Sequence, residues 1–258
     1  MYFDSHAHYG GSKYKDDRDE LLDRLLPEAG VSYVLNVGSH MGDSRSNIEL
    51  VAKYDYIYAT VGVHPHYAKD ITDEDIGTLA DLTLEPKVVG IGEIGLDYFH
   101  NFSPKDVQQI RFEQQLQLAL ELDLPAVIHC RDSEEDVMAI LRNSRAGETI
   151  GGVLHCFSGN VASAQKYLEL GWHLGISGVV TYKNAGTLRD VVAHTPKERL
   201  LIETDCPYLA PEPHRGTRND SRNLYHITEK IAEIWNMPHS EVAKITTDNA
   251  KKLFKIIR

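Results

Sequence analysis

Short apolar runs alternate with amphipathic segments along the whole chain. Continuous apolar runs of this length are typical of strands in a parallel sheet, which is covered on both faces. They predict strands at 2–8, 31–37, 57–63, 87–92, 126–129, 152–155, 172–177 and 199–205. Apolar residues at helical spacing predict helices at 16–30, 44–54, 104–122, 133–142, 161–170, 185–194, 223–235 and 239–256.

Strand and helix alternate over 258 residues with no low-complexity linker. This order is typical of a (β/α)8 TIM-type barrel in the α/β class. We therefore expect residues 1–258 to form a single barrel domain. A doubly wound open sheet is the competing arrangement.

The positions of the polar residues favour the barrel. Histidines and carboxylates stand at the downstream ends of six predicted strands, where only a closed barrel gathers all of them around one mouth. These residues are His6, His8, His64, Glu93, His129, His155, Glu203 and Asp205.

Composition and charge indicate the class of protein, its compartment and its binding partners. The chain is 42% hydrophobic, enough for a sizeable core, but no apolar run approaches the ~18 residues of a membrane span. The N-terminus lacks the pattern of a signal peptide, and the three cysteines are widely separated, so we expect a cytoplasmic protein. A net charge of −11 disfavours nonspecific attraction to duplex nucleic acid, although a phosphate-bearing substrate stays compatible with it.

The polar residues at the strand ends are suited to metal binding. His6 and His8 are two residues apart, so a strand points both imidazoles to one face. Glu93 lies among glycines and aliphatic residues, where a buried carboxylate is costly unless it is paired or on a metal. Any one histidine here can equally be a hydrogen-bonded core residue. Four imidazoles and two carboxylates together make a complete ligand set for two divalent ions.

Five motifs follow one another along the chain: Asp4-Ser5-His6-Ala7-His8, Gly62-Val63-His64-Pro65, Gly92-Glu93-Ile94-Gly95-Leu96-Asp97-Tyr98, His155-Cys156-Phe157-Ser158-Gly159 and Glu203-Thr204-Asp205-Cys206-Pro207. In this order they resemble the TatD family of metal-dependent deoxyribonucleases. The resemblance implies a barrel that hydrolyses DNA, as an exonuclease or endonuclease. It also implies one ion on His6, His8 and Asp205, a second on His129 and His155, and Glu93 as the bridge.

The resemblance extends to the reaction. Two divalent ions (Mg, Mn or Zn) would clamp a phosphodiester and activate a water molecule. Asp205 would accept the proton of that water. Glu203 faces the same side of its strand. It could orient the neighbours of Asp205 or contact the metal-bound water, or it could form a structural ion pair. His64 would contact the substrate phosphate or the leaving group.

Several residues after the strands are candidates for substrate binding. Arg131, Lys183 and Arg215 could hold non-reacting phosphates, and Phe157 could stack on a base. Stacking would favour single-stranded DNA or frayed ends over an intact duplex. We expect a monomer. One departure is Thr217, where relatives usually carry a lysine, which removes a cation from a predicted phosphate loop.

Two alternatives stay open. An amidohydrolase-like enzyme for an amide, ester or lactone uses similar ligands but often bridges its metals with a carboxylated lysine. Glu93 at the end of the fourth strand favours the phosphodiesterase. A metal-binding scaffold without catalysis is the non-enzymatic alternative, and the presence of Asp205 argues against it.

Overall fold

The computed structural model describes residues 1–256. The strands in this part of the chain are β1 (Tyr2–Ala7), β2 (Val31–Asn36), β3 (Ile57–Val61), β4 (Val88–Asp97), β5 (Ala126–Arg131), β6 (Gly152–Leu154), β7 (His173–Ile176) and β8 (Leu200–Ile202). The helices are α1 (Arg18–Glu20), α2 (Leu26–Glu28), α3 (Met41–Lys53), α4 (Asp73–Leu82), α5 (Lys105–Glu121), α6 (Glu134–Ser144), α7 (Ala146–Thr149), α8 (Val161–Glu169), α9 (Gly186–His194), α10 (Leu224–Trp235) and α11 (His239–Leu253). A π-helical turn at Leu21–Leu25 joins α1 to α2.

The eight strands form one sheet in the order of the chain, β1 to β8. Parallel pairing places Phe3 beside Tyr33 and Gly95 beside His129. Ala7, the last residue of β1, forms a parallel bridge with Cys206, which follows β8. The first strand is thus joined to the end of the last one, as a (β/α)8 barrel requires.

The chain divides into two compact units, each with its own apolar core. The first comprises Met1–Asn36, Cys156–Leu168 and the described residues from His173 onward. In its core, the fully buried Phe3 stacks on Tyr33 with ring centroids 5.4 Å apart. The second unit comprises Val37–His155 and Glu169–Trp172, and Trp172 is fully buried in it.

Helix α5 uses two buried glutamines to hold the second unit's strand ends. The Gln115 side chain accepts a hydrogen bond from the Val63 backbone at 2.7 Å and donates to the Val63 carbonyl at 3.1 Å. Gln108 accepts from the Asp97 backbone at 2.8 Å and donates to its carbonyl. These bonds satisfy backbone groups beyond β3 and at the end of β4, where polar side chains are expected to function.

Several elements differ from the sequence-based expectation, among them the short helix α7, which was not predicted, and the predicted helix 16–30, which is divided into α1, the π-helical turn and α2. Helix α4 was not predicted, although Thr72 and Asp75 form a capping box that marks its start. Strand β4 was predicted to end at residue 92 but continues to Asp97, because Ile94 to Asp97 stay paired with β5. Glu93 therefore lies inside the strand. Within residues 1–256, no helix has the length and apolar character needed to cross a membrane.

Two glycines provide a matched test of packing in the second unit. A Cβ on Gly152 would lie 2.3 Å from the Ala126 carbonyl oxygen and 2.3 Å from the Trp172 ring, whereas a Cβ on Gly77 would meet nothing within 4 Å. We expect Gly152→Ala to lower the free energy of unfolding by about 1–3 kcal/mol through overpacking. Gly77→Ala, in the exposed interior of α4, should raise it by about 0.5–1 kcal/mol. Urea denaturation measures both, and equal effects would contradict this packing.

Candidate metal centre

The first unit brings two imidazoles and one carboxylate to a single point. The Nε2 atoms of His6 and His8 are 3.1 Å apart. The Asp205 Oδ1 atom lies 3.8 Å from His6 Nε2 and 3.5 Å from His8 Nε2. The backbone fixes this convergence, because the Asp205 N–H donates to the His6 carbonyl and the His8 N–H donates to the Cys206 carbonyl, each at 2.9 Å.

A buried carboxylate beneath these residues holds the two strand ends together. Asp4 accepts hydrogen bonds from the Thr204 backbone at 2.9 Å, from the Thr204 hydroxyl at 2.6 Å and from the Ser221 hydroxyl at 2.6 Å. Burial raises the pKa of Asp4 to about 7, and the bonds from Ser221 and Thr204 oppose that rise. His6 is two residues after Asp4, and Asp205 directly follows Thr204. The bonds between Asp4 and Thr204 therefore help to set the distance between His6 and Asp205.

Glu203 is fully buried and held in place in the same unit. Its Oε1 atom accepts a hydrogen bond from the Cys156 backbone at 2.5 Å. A Cβ on Gly175 would lie 2.3 Å from Glu203 Oε2, so the glycine leaves the space that this side chain occupies. The carboxylate is therefore fixed in orientation, as a positioning group must be.

In the second unit, three imidazoles approach one oxygen of Glu93. The Oε1 atom lies 2.9 Å from His129 Nδ1, 3.2 Å from His155 Nε2 and 3.5 Å from His64 Nε2. Glu93 is 4% exposed, and its burial alone would raise its pKa. The neighbouring His155, His64 and His129 outweigh that effect and lower the pKa of Glu93 well below its usual value, so the carboxylate is charged.

His64 has a tautomer that is set by the backbone. Its Nδ1 atom accepts a hydrogen bond from the His66 N–H at 3.1 Å, and it caps the 3-10 turn Pro65–Asp70. Burial lowers the pKa of His64 well below its usual value, so the ring is neutral and carries its proton on Nε2. The Nε2 atom of His64 lies 3.5 Å from Glu93 Oε1, and its ligand atom lies within 4.8 Å of those of Glu93 and His129.

Asp97 is a site residue that the sequence analysis did not single out. It is 1% exposed, and its Oδ2 atom lies 2.9 Å from His66 Nε2, 3.1 Å from His100 Nδ1 and 3.2 Å from His129 Nε2. Burial would raise the pKa of Asp97, but the hydrogen bonds from His129 and His66 lower it. The alternation of β4 was the available signal, since Asp97 is four residues beyond Glu93 in the same strand and shares its face.

His129 lies between the two buried carboxylates of the second unit. Burial would lower the pKa of His129, and hydrogen bonds with Asp97 and Glu93 raise it instead. A ring placed in this way can give one nitrogen to an ion while the other donates to a carboxylate. Such carboxylate–histidine pairs fix the orientation and the basicity of metal ligands.

The donor sets fit a divalent ion. Ligand atoms around a tetrahedral zinc ion, with bonds of about 2.0–2.1 Å, are roughly 3.3 Å apart. The separations within the His6, His8 and Asp205 set span 3.1–3.8 Å, which brackets that value. The 2.9 Å and 3.2 Å separations of His129 and His155 from Glu93 are similar. A mixed imidazole and carboxylate set suits zinc, manganese and, with waters, magnesium.

The predicted substrate-binding residues differ in exposure. Arg131, Lys183 and Arg215 are exposed. The Arg131 guanidinium lies 4.1 Å from the centroid of the Phe99 ring, and that of Arg215 lies 4.4 Å from the Tyr182 ring. Phe157 is only 7% exposed and packs edge-on against Tyr167, so it offers little surface to a base. Its role in substrate binding stays a prediction.

Comparison with known proteins identifies the family. The family model described as TatD related DNase matches residues 3–255. The chain belongs to this family. It is 43% identical over 256 residues to the metal-dependent hydrolase YabD of Bacillus subtilis, covering 99% of this chain and all of that protein. It is 35% identical to the 3'-5' ssDNA/RNA exonuclease TatD of Salmonella typhimurium, covering 99% of both chains.

Solved structures confirm the TatD fold. The structure of the TatD homologue YjjV from Escherichia coli superposes with a TM-score of 0.91 at 29% identity, covering 99% of this chain and 98% of that one. The predicted (β/α)8 barrel and the resemblance to the TatD family are therefore confirmed. An amidohydrolase from Saccharomyces cerevisiae, with a TM-score of 0.84 at 22% identity, shares the fold alone. The TatD family is one of metal-dependent hydrolases.

Removing the metal should spare the fold, because each unit has its own apolar core. We expect dialysis against a chelator to strip the bound divalent ions while far-UV circular dichroism stays near native. The melting temperature should fall, since an ion that binds only the folded chain stabilises it by mass action. Elemental analysis checks the removal. Loss of the helical signal in the stripped protein would show instead that the ions are needed for folding.

Proposed function

We propose that this chain is a divalent-metal-dependent nuclease that hydrolyses phosphodiester bonds of DNA, with single strands and frayed ends as its substrates. The observation that carries the proposal is the approach of His6, His8 and Asp205 donor atoms to within 3.1–3.8 Å of one another. Family membership supports it, because TatD of Salmonella typhimurium is a 3'-5' exonuclease for ssDNA and RNA.

We assign two divalent ions to the centre. His6, His8 and Asp205 would hold one, His129 and His155 would hold the other, and Glu93 would bridge them. Support comes from the charged state of Glu93, which the surrounding imidazoles maintain despite burial. When bound, such ions lower the pKa of water and offset the negative charge on phosphate oxygens.

The remaining polar residues would supply proton transfer and orientation. Asp205 is 15% exposed and would accept the proton of the attacking water. Glu203, held by the Cys156 backbone, would keep the groups around Asp205 oriented. His64 would direct its Nε2 proton to a phosphate oxygen or to the leaving oxygen, because its Nδ1 is already engaged by the His66 N–H.

The exposed cations would bind the phosphates beyond the one that reacts. Arg131, Lys183 and Arg215 are placed in solvent, where a guanidinium or ammonium group can contact phosphate oxygens. A chain of net charge −11 repels the negative phosphates of a nucleic acid. These cations and the bound divalent ions would offset that repulsion locally. We further propose that residues 1–258 form a single cytoplasmic catalytic domain that acts as a monomer.

A substrate panel tests the nuclease proposal. The metal-loaded protein should release nucleotides from end-labelled single-stranded DNA faster than from blunt duplex DNA, and should leave ester, lactone and amide substrates intact. Asp205→Asn should lower kcat by roughly 100- to 10,000-fold, as expected for loss of a general base. Metal content of the variant, from elemental analysis, separates lost proton transfer from a lost ion. Turnover of an amide or lactone, with no cleavage of DNA, would favour the amidohydrolase alternative.

Metal counting tests the bridge. We expect about two ions in the purified parent protein, about one in His129→Ala and fewer still in Glu93→Ala, because Glu93 would contribute to both positions. His40→Ala is the control, since His40 caps α3 and is not among the assigned ligands. A parent that saturates at one ion, with Glu93→Ala unchanged, would defeat the bridging role of Glu93.

A further inference from the structure

The turn that follows β4 exposes two phenylalanines in a short stretch. Phe99 and Phe102 are each 58% exposed. His100 lies between them in sequence, and its ring is 5.3 Å from Phe102 at an interplanar angle of 34°. Burying a phenylalanine side chain stabilises a fold by about 1.5–3 kcal/mol. Two phenylalanines that stay exposed in one short turn therefore indicate a binding surface.

Hydrogen bonds anchor the backbone of the turn that carries these rings. Asp97 at its start accepts hydrogen bonds from the His100 backbone at 2.8 Å and from the His100 ring at 3.1 Å. At its end, the buried Ser103 donates to the His66 carbonyl at 3.0 Å, and Gln108 donates to the Ser103 carbonyl at 2.8 Å. The rings are thus presented from a backbone that is anchored on both sides, which lowers the entropy cost of binding to them.

One cation lies over an exposed ring, and a second lies over the neighbouring Tyr98. The Arg131 guanidinium lies 4.1 Å from the centroid of Phe99, and the Lys105 ammonium lies 4.2 Å from that of Tyr98. Aromatic faces next to positive charge match the two parts of a nucleotide, because the base stacks and the phosphate pairs with the cation. An apolar protein partner would have to desolvate these charges without compensation.

The exposed Phe102 ring is connected to Glu93 through a series of contacts within the second unit. The Phe102 ring is 4.8 Å from the His66 ring, and His66 Nε2 is 2.9 Å from Asp97 Oδ2. Asp97 Oδ2 is 3.2 Å from His129 Nε2, and His129 Nδ1 is 2.9 Å from Glu93 Oε1. A strand whose phosphate reaches the proposed centre can therefore place a neighbouring base on the rings.

We propose that Phe99, His100 and Phe102, with Arg131, form a stacking platform for unpaired bases of a single-stranded nucleic acid. The proposal rests on the proposed nuclease function and adds the element that selects single strands. A base inside a duplex has both faces covered by its neighbours, so it cannot stack on the platform. The platform is independent of base identity, because every base has an aromatic face.

Binding and hydrolysis by the metal-loaded protein test the platform together. The binding probe is a fluorescein-labelled oligothymidylate with hydrolysis-resistant phosphorothioate linkages, followed by fluorescence anisotropy. We expect Phe99→Ala and Phe102→Ala each to weaken its binding by roughly 5- to 100-fold. Phe102→Trp should retain binding, and Phe102→Leu should not, because leucine keeps apolar area without an aromatic face. Hydrolysis of a single-stranded oligonucleotide of abasic tetrahydrofuran residues, which has no aromatic face to stack, should stay at the parent rate.

The controls separate the possible failures. Tyr225→Ala removes an aromatic side chain that is 47% exposed on α10, and it should leave oligonucleotide binding unchanged. Thermal melting shows whether each variant is folded.

Parent protein that cuts and binds DNA, with Phe99→Ala and Phe102→Ala unchanged, would overturn the platform alone. Parent protein that binds the oligonucleotide through the platform but cleaves no DNA would overturn the nuclease proposal alone. Full binding by Phe102→Leu would identify an apolar docking surface and contradict stacking.

Discussion

A buried negative charge at Glu93 constrains much of the second unit. The carboxylate is 4% exposed, and burial of a charge is costly unless other groups compensate for it. Three imidazoles on its Oε1 atom supply that compensation, from the ends of β5 and β6 and from the segment after β3. The segments that carry these three histidines must therefore end at the same height along the sheet as Glu93, because otherwise the imidazoles would not reach the carboxylate. The buried glutamines of α5 maintain those heights by hydrogen bonding to Val63 and Asp97.

In the first unit, backbone and hydroxyl groups compensate for the buried carboxyl group of Asp4. Asp4 accepts hydrogen bonds from Thr204 and Ser221, so the end of β8 and the following segment are tied to β1. These bonds, together with the hydrogen bond from the Asp205 N–H to the His6 carbonyl, hold His6 and Asp205 within reach of one another. In both units, polar residues just below the candidate ligands determine where the ligands lie.

The apolar runs, together with the polar residues at their ends, were sufficient to predict the fold, whereas the contacts that support the site are visible only in the folded structure. Short apolar runs predicted all eight strands, and the histidines at their ends predicted the ligands. The end of β4 was placed at residue 92, although the strand continues to Asp97 and contains Gly95. In the structure, the absent Cβ permits close pairing with β5, since a Cβ there would lie 2.0 Å from the His129 carbonyl oxygen. The parity of β4 places Asp97 on the same face as Glu93, but the bonds of Asp97 to His66 and His129 join distant segments, so the sequence did not indicate those partners.

The turn between Asp97 and Ser103 separates two kinds of residue. Its anchors, Asp97, Ser103 and Gln108, are buried and fix the backbone, while Phe99 and Phe102 face solvent. Asn101 has a left-handed conformation with φ of 53°, which restricts that position to a few residue types. Substitutions at the two phenylalanines can therefore alter what the surface recognises at little cost in folding free energy. Under the proposed stacking role, substrate range can thus diverge among proteins of this architecture one exposed residue at a time, with the candidate metal centre left intact.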